Sequence, residues 1–199
     1  MSRDGSKISS KSLSSAKLNQ IGKKLLKNRC GYSKFQSNFS IIFISDTHTD
    51  KSNIEYYSDL LKEFIVQQDV LCIIHGGDSI HGVSNNIEKS KIQLVQFIDT
   101  TKLALYTSTM NTKIIPLFMN IGNHDYCSKN IKFSNIKNFK NLVGDTSDVI
   151  NIYNQPLDII LLDTGYTHNG FPCLNSFTNQ LHNIEKVYVW FHLQSNQVR

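Results

Sequence analysis

The stretch IIPLFMNIGNHD, residues 114–125, joins two kinds of sequence. Ile114 to Met119 is an apolar run of strand length, and it ends in Gly122-Asn123-His124-Asp125. An apolar run of that length between turn signals reads as a fully buried strand. Three side chains that can bind a metal or move a proton therefore follow a strand with no wet face. Two earlier segments share the plan. Phe39-Ser40-Ile41-Ile42-Phe43-Ile44 leads into Asp46-Thr47-His48, and Val70-Leu71-Cys72-Ile73-Ile74 leads into Gly76-Gly77-Asp78.

Between these strands the apolar spacing changes to that of a helix. Ile54, Tyr57, Leu60, Leu61, Phe64 and Ile65 mark one face of a helix near 53–67. Ile87, Leu94, Val95, Phe97, Ile98 and Leu105 mark a longer one at about 86–108. Strand–helix–strand–helix–strand with near-continuous apolar strands predicts an α/β fold: a mostly parallel, buried sheet, covered on both faces and flanked by helices. Beyond Asp125 the chain turns irregular and rich in Asn and Lys, with strand-like runs at 149–153, 157–163 and 187–191 and no internal repeat.

In a parallel sheet the three polar clusters fall on one edge, the carboxyl edge, where open α/β folds place their sites. Asp46 and His48 are two apart, so in an extended chain they point the same way, roughly 6.5 Å apart along the backbone. Glycine before Asp78 and before Asn123 permits backbone angles and close approach that a Cβ would block. Carboxylate, imidazole and amide oxygen together suit Mn, Fe or Zn rather than a thiolate-seeking metal. A carboxylate can bridge two ions about 3.5–4 Å apart, and Asp78, lying between the other two clusters, is the candidate bridge. As separate clusters these are ordinary turn residues; it is the three in sequence that point to a site.

Asp46-x-His48, Gly77-Asp78 and Gly122-Asn123-His124-Asp125, in that order at strand ends, resemble the calcineurin-like metallophosphoesterase superfamily. The resemblance runs from about Ile41 to His192. It implies a layered metallophosphoesterase fold and two divalent ions (Mn, Fe or Zn). It also implies hydrolysis of a phosphate mono- or diester through a metal-bridging hydroxide. Asp46 and His48 would bind the first metal, Asp78 would bridge, and Asn123 would bind the second. His124 would contact the phosphate and protonate the leaving oxygen, with Asp125 orienting it. His192, after Val187-Tyr188-Val189-Trp190-Phe191, would complete the second metal, and Ile159 to Thr164 resembles the strand before that region, with Gln180-Leu181 in a shortened helix.

The family's last motif, Gly-His-x-His, is absent. Gly165-Tyr166-Thr167-His168 is its nearest match but precedes His192. The expectation is a domain that ends early, with its last strands missing and an exposed sheet edge. His81, three residues after Asp78, is a second departure. Relatives often carry Asp there, purple acid phosphatases a metal-binding Tyr, and repair nucleases can carry His. His81 is thus either a contact to metal or phosphate or a water-exposed turn histidine.

At 199 residues with 40% hydrophobic composition, a single domain is expected. Residues 1–38 hold nine basic side chains and one acid, a charge of +8, which leaves the body at −3 within the net +5. That stretch reads as a basic, disordered arm ahead of a domain at 39–199. Leu18, Ile21, Leu25 and Leu26 could line a short helix within it. The arm is either a solvated leader or a contact for nucleic acid or an anionic surface. Cys30, Cys72, Cys127 and Cys173 form no CxxC pair and read as free thiols. No segment has the length of a membrane span, and no apolar signal core opens the chain, so a cytoplasmic location is expected. Three functions follow from these features: a phosphoesterase, a nuclease within that class, or an inactive relative that only binds.

Overall fold

The computed structural model describes residues 17–32, 39–66, 70–83, 86–108, 115–127, 134–152, 158–163 and 187–191. In chain order these form α1 (Leu18–Tyr32), β1 (Ser40–Ile44), α2 (Ile54–Val66), β2 (Val70–His75), α3 (Ile87–Ser108) and β3 (Leu117–Met119). There follow α4 (Asn123–Tyr126), α5 (Ile136–Leu142), β4 (Asp148–Asn151), β5 (Asp158–Leu162) and β6 (Val187–Phe191).

β1, β2 and β3 make a parallel sheet in that order, with β2 in the middle and all six of its residues buried. When strand order follows chain order, crossovers of one hand put both connecting helices on the same face. α2 and α3 do pack together, with Tyr57 stacked on Phe97 at 5.2 Å between ring centroids. Ile73, Leu117 and Met119 join Leu61, Leu94 and Phe97 in one buried cluster. Leu71, Ile74 and Phe118 join Ile150, Ile159 and Leu161 of the second sheet in another. The second sheet has the order β4-β5-β6, with β4 antiparallel and β6 parallel to β5. Both faces of the parallel sheet are thus covered, as expected, but by unlike layers: helices on one side and a second sheet on the other.

The basic arm needs correction. Composition assigns residues 1–38 to an arm, disordered but with room for a short helix through Leu18, Ile21, Leu25 and Leu26; that helix is Leu18–Tyr32, and it is docked on β3. Leu18 and Leu26 are buried in the two clusters, and each such burial stabilises by ~1.5–3 kcal/mol. Asn19 fixes the contact. Its Nδ2 donates to the Met119 carbonyl at 3.0 Å and its Oδ1 accepts the Met119 N–H at 2.9 Å, so one side chain stands in for a neighbouring strand. The lysines lie away from the core: Lys24 and Lys27 are exposed, and Lys23 pairs with Asp148. Residues 1–16 lie outside the described residues.

A short helix, α5, lies in the region that reads as irregular, and its Phe139 is fully buried. Of the four cysteines expected to form no disulfide, Cys72 and Cys127 are described, and neither is in a disulfide. Among the described residues no helix is long and apolar enough to cross a membrane.

Candidate metal centre

The loops after β1 and β2 run side by side past the end of the sheet. Asp46 N–H donates to the Gly77 carbonyl, His48 N–H to the Asp78 carbonyl and Thr49 N–H to the Ser79 carbonyl, each at 3.0 Å. His81 N–H closes the series on the Thr49 carbonyl at 3.1 Å. This ladder holds an unusual backbone. Asp46, His48 and Asp78 have φ of 54°, 44° and 53°, the left-handed region that side chains avoid. Each costs ~1–3 kcal/mol and persists only where the surroundings over-determine it, a pattern that clusters at functional sites. The two residues expected to point together from an extended chain are not extended; left-handed turns bring them together.

The outcome is a tight group. One ligand atom each from Asp46, His48 and Asp78 lies within 4.8 Å of the others. His48 Nε2 is 3.8 Å from Asp78 Oδ2 and 4.0 Å from Asp46 Oδ1. Asp78 is buried and Asp46 open to solvent. Desolvation and the charge of His124 lower the His48 pKa, against the pull of Asp78 and Asp46, which favours the unprotonated ring a metal needs.

The third loop packs directly on the second. A Cβ on Gly122 would stand 2.2 Å from both the backbone N and Oδ1 of Asp78, and one on Gly77 (φ 119°) would stand 2.9 Å from Gly122 N. Only glycine on both sides lets the loops touch. Asp78 Oδ1 then accepts the His124 N–H at 2.8 Å, tying the central carboxylate to α4. Asn123 opens α4 and is half-buried.

His124 and Asp125 part company. The resemblance has Asp125 orienting the His124 ring, but the ring nitrogen Nδ1 meets the His81 carbonyl at 2.7 Å. A carbonyl only accepts, so Nδ1 carries the proton and Nε2 is left for other chemistry. Asp125 is fully buried beneath the loops. It accepts the Ser79 hydroxyl at 2.6 Å and the N–H groups of Ser79 (3.1 Å), Ile80 (3.3 Å) and Gly122 (2.9 Å). Burial pushes its pKa up to about 6, although the Ser79 hydroxyl and the Gly122 N–H pull the other way. Its geometry is that of a brace for two loops.

His81 is exposed, and its ring approaches His124 at 5.9 Å and His48 at 6.5 Å between centroids. His192 lies outside the described residues, as do Gly165 to His168 and Gln180-Leu181. Sequence reading missed three supporting residues. Ser79 is one. His75, wholly buried at the end of β2, accepts the Gly77 N–H at Nδ1 (3.3 Å) and meets the Thr47 hydroxyl at Nε2 (3.0 Å). Thr47 in turn donates to the Ser79 carbonyl at 2.9 Å. The available signal was position: a polar residue ending an otherwise apolar strand, immediately before the glycines.

A protein-family model for the calcineurin-like phosphoesterases matches residues 39–197. No curated protein was found to match the chain. The chain belongs to the calcineurin-like phosphoesterase family, whose general class is the metal-dependent phosphoesterases, and the clustered Asp46, His48 and Asp78 are candidate ligands for such a metal.

Proposed function

We propose that this member of the calcineurin-like phosphoesterases hydrolyses a phosphate mono- or diester at the carboxyl edge of its parallel sheet. The convergence of Asp46, His48 and Asp78 within 4.8 Å carries the reading. The donor set fits a divalent ion: two carboxylates and one imidazole suit Mn, Fe or Zn. When bound, two such ions would supply an activated water and neutralise charge on the phosphoryl oxygens. Asp46 and His48 would hold the first ion, Asp78 would be shared, and Asn123 would hold the second with His192.

The chain's own residues do the rest. His124 receives the ester: with Nδ1–H on the His81 carbonyl, its cation presents Nε2–H to the leaving oxygen. Asp125 keeps His124 in place indirectly, by bracing the backbone of Gly122 and Ser79.

The test is hydrolysis of p-nitrophenyl phosphate and bis-p-nitrophenyl phosphate with added Mn²⁺. Asp78→Asn should lower turnover by more than the ~10–100-fold typical of residues behind the metal ligands. His124→Ala should lower it by ~10²–10⁴-fold, and a chelator should abolish it reversibly. The ester preferred separates a monoesterase from a diesterase. A folded, metal-loaded protein that turns over neither ester would sink the proposal in favour of a binding module.

A further inference from the structure

The three loops bring a second group of ligands together, on different chemistry. His48, His81 and His124, one from the end of each parallel strand, each offer a ring nitrogen within 4.8 Å of the others. The His48 and His124 rings stand nearly edge to face, 4.3 Å apart at 84°. His81 closes the triangle from the solvent side, tilted 44° to His124. His124 is limited to Nε2 as a ligand, because its Nδ1–H is given to the His81 carbonyl. A zinc ion with three imidazoles needs Zn–N distances of ~2.0–2.1 Å, so the three ring nitrogens must draw together from this spacing by side-chain rotation to hold it.

We propose that His48, His81 and His124 form a separate site for a zinc-type ion, one that competes with the carboxylate centre for His48. A neutral imidazole has one lone pair to give, and His48 Nε2 is the nitrogen that faces Asp78 and Asp46. An ion held by the three imidazoles draws His48 from the carboxylates and covers Nε2 of His124. Zinc, cobalt and copper favour imidazole, whereas manganese and magnesium favour carboxylate. The carboxylate centre accepts zinc as well as manganese, but only a zinc-type ion suits three imidazoles, so zinc in excess fills the histidine site and takes His48 from the centre that manganese fills.

The site shares His48 with the centre proposed above, but its test reads metal binding and stands whether or not the chain hydrolyses anything. The full chain is stripped of metal and titrated with Co²⁺, read by its visible absorption, and separately with Mn²⁺, read by the spin resonance of the free ion. His81→Ala should weaken the Co²⁺ site at least tenfold and leave Mn²⁺ affinity within twofold. His81 is exposed, so the variant should fold, with circular dichroism as the control. A second measurement needs no variant to fold: zinc added to the ¹⁵N-labelled wild type should move three imidazoles together. Unchanged Co²⁺ affinity in His81→Ala, or equal weakening for both ions, would overturn the proposal. So would zinc shifts confined to one histidine.

Discussion

The loops after β1 and β2 and the loop after β3 meet at one site and are held there in opposite ways. In the first pair the chemistry-bearing residues carry the strain themselves: Asp46, His48 and Asp78 all sit at positive φ. The restraint is main chain on main chain, from Asp46 and Gly77 to Thr49 and Ser79. In the third loop, His124 has ordinary helical backbone within α4, and the restraint comes from side chains or their absence. Asp125 gathers four donors from both loops, and Gly122 has no Cβ. In the first pair the main chain fixes the loops, so Asp46 and His48 can present their side chains to a ligand, while the Asp78 carboxylate also accepts the His124 N–H. In the third loop, residues next to His124 serve the fold, and changing them changes structure before chemistry.

The seam at Gly122 is where the contrast breaks most visibly. A methyl in Gly122→Ala would meet Asp78 N and Oδ1 at 2.2 Å; the first is main chain, and the second is a buried carboxylate oxygen held by the His124 N–H. The expected loss exceeds ~4 kcal/mol, the range reserved for buried strain and lost packing. Asp46→Asn is the counterpart. Asp46 is exposed and Asn tolerates left-handed φ, so stability should stay within ~0.5 kcal/mol. Urea midpoints of the two variants settle it, and a well-folded Gly122→Ala would show that the loops do not pack as described.

Asp125→Ala comes next. It strands the N–H groups of Ser79, Ile80 and Gly122 in a site with no solvent. Each unsatisfied buried donor costs ~1–3 kcal/mol, so a loss of ~3 kcal/mol or more is expected even if water enters. Amide hydrogen exchange at Ser79 and Gly122 should accelerate together. Acceleration at one alone would mean that Asp125 braces a single loop.

How much of this was legible beforehand depends on what each residue does. The parallel sheet and its two helices follow from periodicity, because burial imposes it along every turn and strand. Asp46, His48, Asp78 and His124 were found by residue type and spacing, and the structure clusters them. The left-handed backbone at Asp46 and His48 was not visible, since nothing in those side chains demands it; the ladder to Gly77 and Asp78 does. The resemblance made Asp125 a partner of His124, but on a short helix the side chains of neighbouring residues turn apart. His75 and Asn19 are lone polar residues among apolar or basic neighbours, and their roles depend on chain that is distant in sequence. α1 was legible as a short helix from Leu18, Ile21, Leu25 and Leu26; its docking on the core through Leu18 and Leu26 was not.

The smallest effect tests the sign of the brace. The buried Asp125 carboxyl is pushed up to about 6 in the folded chain, from an ordinary 3.8. A raised carboxyl contributes stability that is full below the unfolded value and is lost as pH rises through the folded one. The Ser79 hydroxyl, 2.6 Å from Oδ1, opposes the shift by donating to the charged form. Ser79→Ala removes that donor and leaves the Ser79 N–H bond in place. In chelated protein the variant should lose ~1 kcal/mol above pH 6. Its deficit should shrink as pH falls toward 4, because a protonated Asp125 has less need of the hydroxyl. Urea unfolding of wild type and variant across that range reads both the size and the slope. A deficit that grows on acidification would mean that Ser79 favours the neutral acid, and the two loops would then be joined by a proton rather than by a charge.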